Sequence, residues 1–162
     1  MKLQIICILG FLLYSFNSLF GQTNQYVCKD YLSDTLSVVI LPFTTARNPF
    51  ATKFKPAIRP KIDYCLIEEL LTKAIHTIYK DHLLSKRTMW IEEIMTSYKK
   101  LLIFATDNNA QSFVWINCLC KTQGDYWRSH IPLIFDGGPC YFNLKLNLTT
   151  REYFDFSINS QG

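Results

Sequence analysis

The sequence predicts an α+β domain in which one amphipathic helix packs on an antiparallel meander of four to five strands. Three observations carry this. Much of the stretch 111–158 alternates apolar and polar residues with a period of two, as a sheet with one buried face requires. Residues 61–80 instead place Leu66, Ile67, Leu70, Leu71, Ala74, Ile75 and Ile78 on one arc at helical spacing. Turn-forming clusters at Asp107-Asn108-Asn109-Ala110 and Asp136-Gly137-Gly138-Pro139 separate the apolar runs. The helical arc needs a surface to cover, and the sheet offers the only large one, so the domain is two-layered.

Strands are expected at about 99–106, 111–120, 130–136, 140–148 and 152–158. Cys140, Phe142, Leu144, Leu146 and Leu148 share one face, and Tyr141, Asn143, Lys145 and Asn147 share the other. A loop of three or five residues before the last strand would pair Leu146 with Phe154, Leu144 with Phe156 and Phe142 with Ile158. It would also set Lys145 opposite Asp155, a favourable cross-strand charge pair. The Gly137-Gly138 hairpin would pair Phe135 with Cys140, Leu133 with Phe142 and Ile131 with Leu144. The Asn108-Asn109 turn would set Ile103 opposite Val114 and Leu101 opposite Ile116.

Ahead of this domain, residues 1–21 carry Lys2, an apolar run, and then small and polar residues, the pattern of a secretory signal peptide. Cleavage is expected before Gln22, giving a secreted or periplasmic protein with no membrane attachment after removal. The run is broken by Ser15, Asn17 and Ser18, which argues against a transmembrane anchor. Residues 22–60 form a polar lead-in, one strand candidate at Leu36 to Phe43, and an irregular connection containing Pro49, Pro56 and Pro60. Residues 61–162 hold the α+β domain. The helix spans about 61–80, with Glu68 and Glu69 early and Lys73 and Lys80 late, as its dipole favours. Residues 81–98 permit a second short helix through Trp90, Ile91, Ile94 and Met95, leading into the strand at Lys99.

The formal charge is +4, or +3 once Lys2 leaves with the leader, and it is mixed in sign along the chain. No basic run suggests nucleic-acid binding. The outer sheet face gathers Phe104, Phe113, Trp115, Tyr141 and Tyr153 among Asn117, Asn143, Lys145 and Asp155. Aromatics among polar groups are typical of a recognition patch if exposed. If residues 81–98 or the N-terminal strand region cover them, they form a second small core. The expected function is therefore a non-enzymatic binding module with a protein or glycan partner in the periplasm or medium. The candidate site is Trp115, Asn117, Tyr141, Asn143, Lys145 and Tyr153. The competing expectation is an enzyme using a cysteine or the loop of Asp125, Trp127 and His130. No catalytic constellation, cofactor motif or metal site stands out.

Six cysteines fall to five when Cys7 leaves with the leader: Cys28, Cys65, Cys118, Cys120 and Cys140. An oxidising compartment permits disulfides, and the odd number leaves at least one thiol in a monomer. Buried thiols, a disulfide to Cys140 through a strand order other than a meander, and a bridge from Cys28 to Cys65 all remain open. A zinc reading of Cys118, Cys120, His130 and Cys140 fails because the cysteines face the core while His130 faces outward. His76 lies on the polar side of the helix and His82 just past it. Asn147-Leu148-Thr149 matches a glycosylation sequon. Asp136-Gly137-Gly138 offers one carboxylate, too few for a cation loop.

The segments YKKLLIFATDNNAQSFVWINCLC and FDGGPCYFNLKLNLTTREYFDFSIN resemble a family of small exported bacterial proteins of unknown function. That family carries a W-[VI]-N-C-x-C strand followed by a D-G-G-[NP]-C-Y-F-x-[LV]-K-[IL]-N-L strand. The matching residues are Trp115, Asn117, Cys118, Cys120, Asp136, Gly137, Gly138, Cys140, Tyr141, Phe142, Lys145, Asn147 and Leu148. The resemblance covers about the last third of the chain well and implies compartment and fold but no activity. The helix-on-meander layout also resembles cystatin-like folds, which would imply a protease inhibitor. Asp107 to Val114 does not supply the Q-x-V-x-G tip such an inhibitor uses.

Overall fold

A computed structural model describes residues 26–57, 62–80 and 91–159. The expected signal peptide, His82 and Trp90 lie outside these residues. The α+β class holds, with two helices and a six-stranded, mostly antiparallel sheet among the described residues. Strands β1 (Val38–Ile40) and β2 (Lys55–Pro56) precede helix α1 (Tyr64–Lys80) and the short helix α2 (Ile91–Ser97). Four longer strands follow: β3 (Lys99–Thr106), β4 (Ser112–Leu119), β5 (Tyr141–Asn147) and β6 (Glu152–Ile158). The sheet order is β1-β3-β4-β5-β6. β1 runs parallel to β3, and β2 pairs antiparallel with it further along the same edge.

α1 forms where the apolar arc predicts. Ile67, Leu70, Leu71, Ala74, Ile75 and Ile78 are all buried against Leu102, Val114, Ile116, Phe142, Leu144 and Leu146 of the sheet. α2 adds Ile94 and Met95 to the same core. Lys100, wholly buried, donates from Nζ to the carbonyls of Met95 and Tyr98 at 2.8 and 2.9 Å. It thus caps the free carbonyl end of α2. Burial pushes its pKa down.

Three registers differ from expectation. In the β3–β4 pair Leu102 faces Ile116, Ile103 faces Trp115 and Phe104 faces Val114. Leu101 and Ile103 therefore turn away from the helices, one position off the expected phase, and Phe104 packs on the helix side. Lys100 to Ala105 is buried or nearly so on both faces, so alternation could not set its phase. The expected strand at 130–136 does not form. Residues 120–140 are a long irregular connection, and β4 pairs directly with β5, Cys118 facing Phe142 and Ile116 facing Leu144. The glycines still turn the chain, with φ of 100° at Gly137 and 53° at Gly138, but they lead into a 3-10 turn over Gly138–Cys140.

In the last hairpin, residues 148–151 make a four-residue loop, with Asn147 opposite Glu152 and Leu146 opposite Tyr153. This places Tyr153 on the helix side and Phe154 on the other. A bulge at Asp155, whose φ is 53°, then resets the phase, so Phe142 meets Ile158 as expected.

The outer sheet face is covered. Leu101, Ile103, Ala105, Phe113, Trp115 and Leu119 pack against Leu41, Phe50 and Trp127 in a second core, with Phe43, Phe54, Ile131 and Ile134 at its margin. The cover comes from residues 41–54 and 127–134. Its aromatic chain runs Phe43–Phe50–Phe54–Phe113–Phe154, with centroids 5.0 to 6.0 Å apart. The sheet is thus sandwiched between a helical layer and an irregular layer.

Two disulfides staple this arrangement. Cys120–Cys140 closes the long connection where β4 and β5 diverge, beside a Cys120 N–H to Cys140 carbonyl bond of 3.0 Å. Cys28–Cys65 ties the lead-in to the first turn of α1. Among the described residues Cys118 is the free thiol, and it is wholly buried.

Candidate functional site

The expected site residues scatter through the covered face. Trp115 is 4% exposed, and its indole Nε1 donates to Asn143 Oδ1 at 3.1 Å. Asn117 and Lys145 are buried. Lys145 Nζ reaches Asp155 at 2.6 Å and lies 5.5 Å from the centre of the Phe50 ring. Tyr153 belongs to the opposite face. Trp115, Asn117 and Lys145 thus lie under a cover rather than on an open aromatic patch, as in the alternative in which the N-terminal region covers this face and makes a second small core. The sequence raises such a cover but does not decide for it, because residues 41–54 carry no periodicity that ties them to the sheet.

Tyr141 is the exception. The first residue of β5, it packs at the margin of the second core and also lines an open cleft of about 950 Å³. The cleft lies between the start of the 120–140 connection and its return through Leu133 and Phe135. Its polar groups include Arg47, Lys121, Gln123 and Asp136. Leu133 and Phe135 are 56% and 79% exposed, and Tyr126 on the near wall is 57% exposed.

Local chemistry holds both walls. Arg128 donates from its two terminal nitrogens to the carbonyls of Thr35 and Leu36, each at 3.1 Å, and from Nε to Asp125 at 3.1 Å. Its guanidinium and the Lys99 ammonium lie over the buried Trp127 ring. Asn159 Nδ2 donates to the Ile134 carbonyl at 2.6 Å, tying the returning wall to the end of β6. Arg47 reaches the Ile131 carbonyl at 3.4 Å. Gly137 seats Tyr141: a Cβ there would stand 2.6 Å from the tyrosine ring, and its φ of 100° already excludes most side chains.

The side chains of the competing enzyme reading are engaged in local contacts. Asp125 pairs with Arg128 rather than His130. His130 takes Ser129 Oγ at 2.8 Å and stacks flat on Tyr126, with centroids 4.2 Å apart. Burial pushes the Cys118 thiol up to about 12, opposite to what a nucleophile needs. Asn147 is also spoken for. Its amide donates to Gln111 at 3.0 Å, and its oxygen accepts from the Thr149 and Thr150 amides at 2.9 and 3.1 Å. In the folded protein the sequon is a turn cap.

Of these features, the cysteines at the edge of the connection and the Gly137-Gly138 turn were visible in sequence. Leu133 and Phe135 were also visible, but as core residues of a strand that does not form. Comparison of the chain with protein-family models, with curated proteins and with solved structures finds no match.

Proposed function

We propose that this is an exported, non-enzymatic binding module that recognises a protein partner through the cleft beside Tyr141. The single observation that carries the reading is where exposed large apolar side chains collect. Six are exposed among the described residues, and three of them, Tyr126, Leu133 and Phe135, line this one cleft. Clustered apolar side chains around a concave surface with a polar margin are the anatomy of a protein-binding site. The two disulfides support the exported setting, since such bonds persist in oxidising compartments.

The test uses the full chain in its producing cell, with a photo-crosslinking residue at Leu133 and, as control, at exposed Thr77 on α1. A discrete protein adduct from position 133, absent from 77 and lost with Phe135→Ser, supports the reading. Equal adducts at both positions, or an adduct insensitive to Phe135→Ser in a chain that melts normally, overturns it.

A further inference from the structure

The geometry points to a redox-gated site for a thiophilic divalent cation at Cys28, Asp30 and Cys65, on the side of the molecule where the lead-in crosses α1. One ligand atom from each of the three residues lies within 4.8 Å of the others. Asp30 Oδ1 is 3.4 Å from Cys28 Sγ. Tetrahedral zinc, with sulfur at about 2.3 Å and carboxylate oxygen at about 2.1 Å, sets those two atoms about 3.6 Å apart. Two thiolates and one carboxylate are a suitable donor set for zinc, with the fourth position left to water.

In the oxidised chain the two sulfurs are bonded to each other and hold no cation. A dithiol reductant delivers two electrons and two protons to the Cys28–Cys65 bond and leaves as its own disulfide. The bond opens to two thiols, and a divalent cation then displaces both protons to bind two thiolates.

What keeps Cys28 beside Cys65 after that bond opens is Glu68. It is wholly buried one turn along α1 from Cys65 and grips the lead-in from both sides of Asp30. Glu68 Oε1 accepts from the Lys29 amide at 2.7 Å and from the Tyr26 hydroxyl at 2.7 Å. Glu68 Oε2 accepts from the Tyr31 amide at 2.8 Å. These charge-assisted bonds fix the backbone on either side of Asp30 without help from the disulfide. The reduced ligand set is therefore preorganised, which a dithiol on a free strand would not be.

The experiment titrates cobalt(II) as a zinc surrogate into the full chain, oxidised and then reduced by a dithiol that is removed before metal is added. The reduced chain should develop a thiolate-to-cobalt charge-transfer band, and the oxidised chain should not. Cys28→Ser should abolish the band, and Asp30→Asn should weaken binding at least tenfold, whereas Cys140→Ser should leave it intact. Because a variant can fail on folding alone, zinc protection is also read on the unmutated reduced chain. Alkylation mapped by mass spectrometry should show Cys28 and Cys65 shielded by zinc, and Cys120 and Cys140 not. A band insensitive to Cys28→Ser and Asp30→Asn, zinc protection confined to Cys120 and Cys140, cobalt binding by the oxidised chain, or loss of fold on reduction alone each overturns the proposal.

Discussion

Lys145 Nζ lies 2.6 Å from Asp155 Oδ2 across the β5–β6 pair, although Lys145 itself stands opposite Phe154. The bulge makes this possible. Asp155 is the extra residue, held at a φ of 53°, and it sends its carboxylate back to the largely buried ammonium. Asp155→Gly keeps the backbone conformation but strands the lysine, and should cost about 1 to 3 kcal/mol. Asp155→Val also forces a β-branched side chain into left-handed space and should cost about 1 to 2 kcal/mol more. Denaturant melts of the two variants measure the difference. Equal losses would mean that no left-handed residue is needed there and that the strand runs unbroken.

The sheet's covered face makes the second prediction. Trp115→Ala removes a buried ring and its bond to Asn143, and should destabilise by about 3 to 5 kcal/mol. Phe135→Ala, at the rim of the cleft, should stay within about 0.5 kcal/mol of the parent. Thermal melts with the same reference chain decide. A mild Trp115→Ala would mean the 41–54 segment leaves the face open in solution.

The Lys145–Asp155 charge pair was legible in the sequence, though not its register, which sets Lys145 opposite Phe154. The bulge that completes it was not, since Tyr153 and Phe154 are both aromatic and either could face the helices. The helical face of α1 and the inward faces of β4 and β5 were legible from period alone. The β3 phase was not, because Leu101, Leu102 and Ile103 are wholly buried and carry no polar residue to break the tie. Leu133 and Phe135 misled for the opposite reason. Their alternation in the run HIPLIFD mimics a strand, yet the β4–β5 pairing leaves no room beside β5 for it. The disulfide between Cys120 and Cys140 follows from that pairing, which alternation cannot specify.

The buried Glu68 and the Cys28–Cys65 bond hold the same segment, so their removal should be non-additive. Cutting the bond alone with Cys65→Ser should cost up to about 4 kcal/mol, from a loop closed over a sequence separation of 37 residues. Glu68→Ala strands two backbone amides, leaves the Tyr26 hydroxyl only Thr72 at 3.5 Å, and should cost about 2 to 4 kcal/mol. In a double-mutant cycle the combined loss should differ from the sum by more than about 0.5 kcal/mol. Strict additivity would show that the two contacts do not restrain one unit.

Alkaline pH offers a separate handle on buried Cys118 and half-buried Tyr26. Burial raises the Cys118 thiol from 9.0 to about 12. Burial, together with the neighbouring Glu68 carboxylate, raises the Tyr26 phenol from 10.0 to about 12. Both groups lose a proton more readily in the unfolded chain. The unfolded state therefore binds fewer protons above the lower value, and stability falls as pH rises. Each contribution is complete below the unfolded value and is lost as pH climbs to the folded one. Cys118 acts from about pH 9 and Tyr26 from about pH 10, both running out near 12. Urea melts from pH 8 to 12 should show Cys118→Ala flattening the decline that begins at 9, and Tyr26→Phe flattening only the part above 10. A Cys118→Ala curve parallel to the parent throughout would mean that the thiol is reached by solvent and that the inner face of β4 is not sealed by α1.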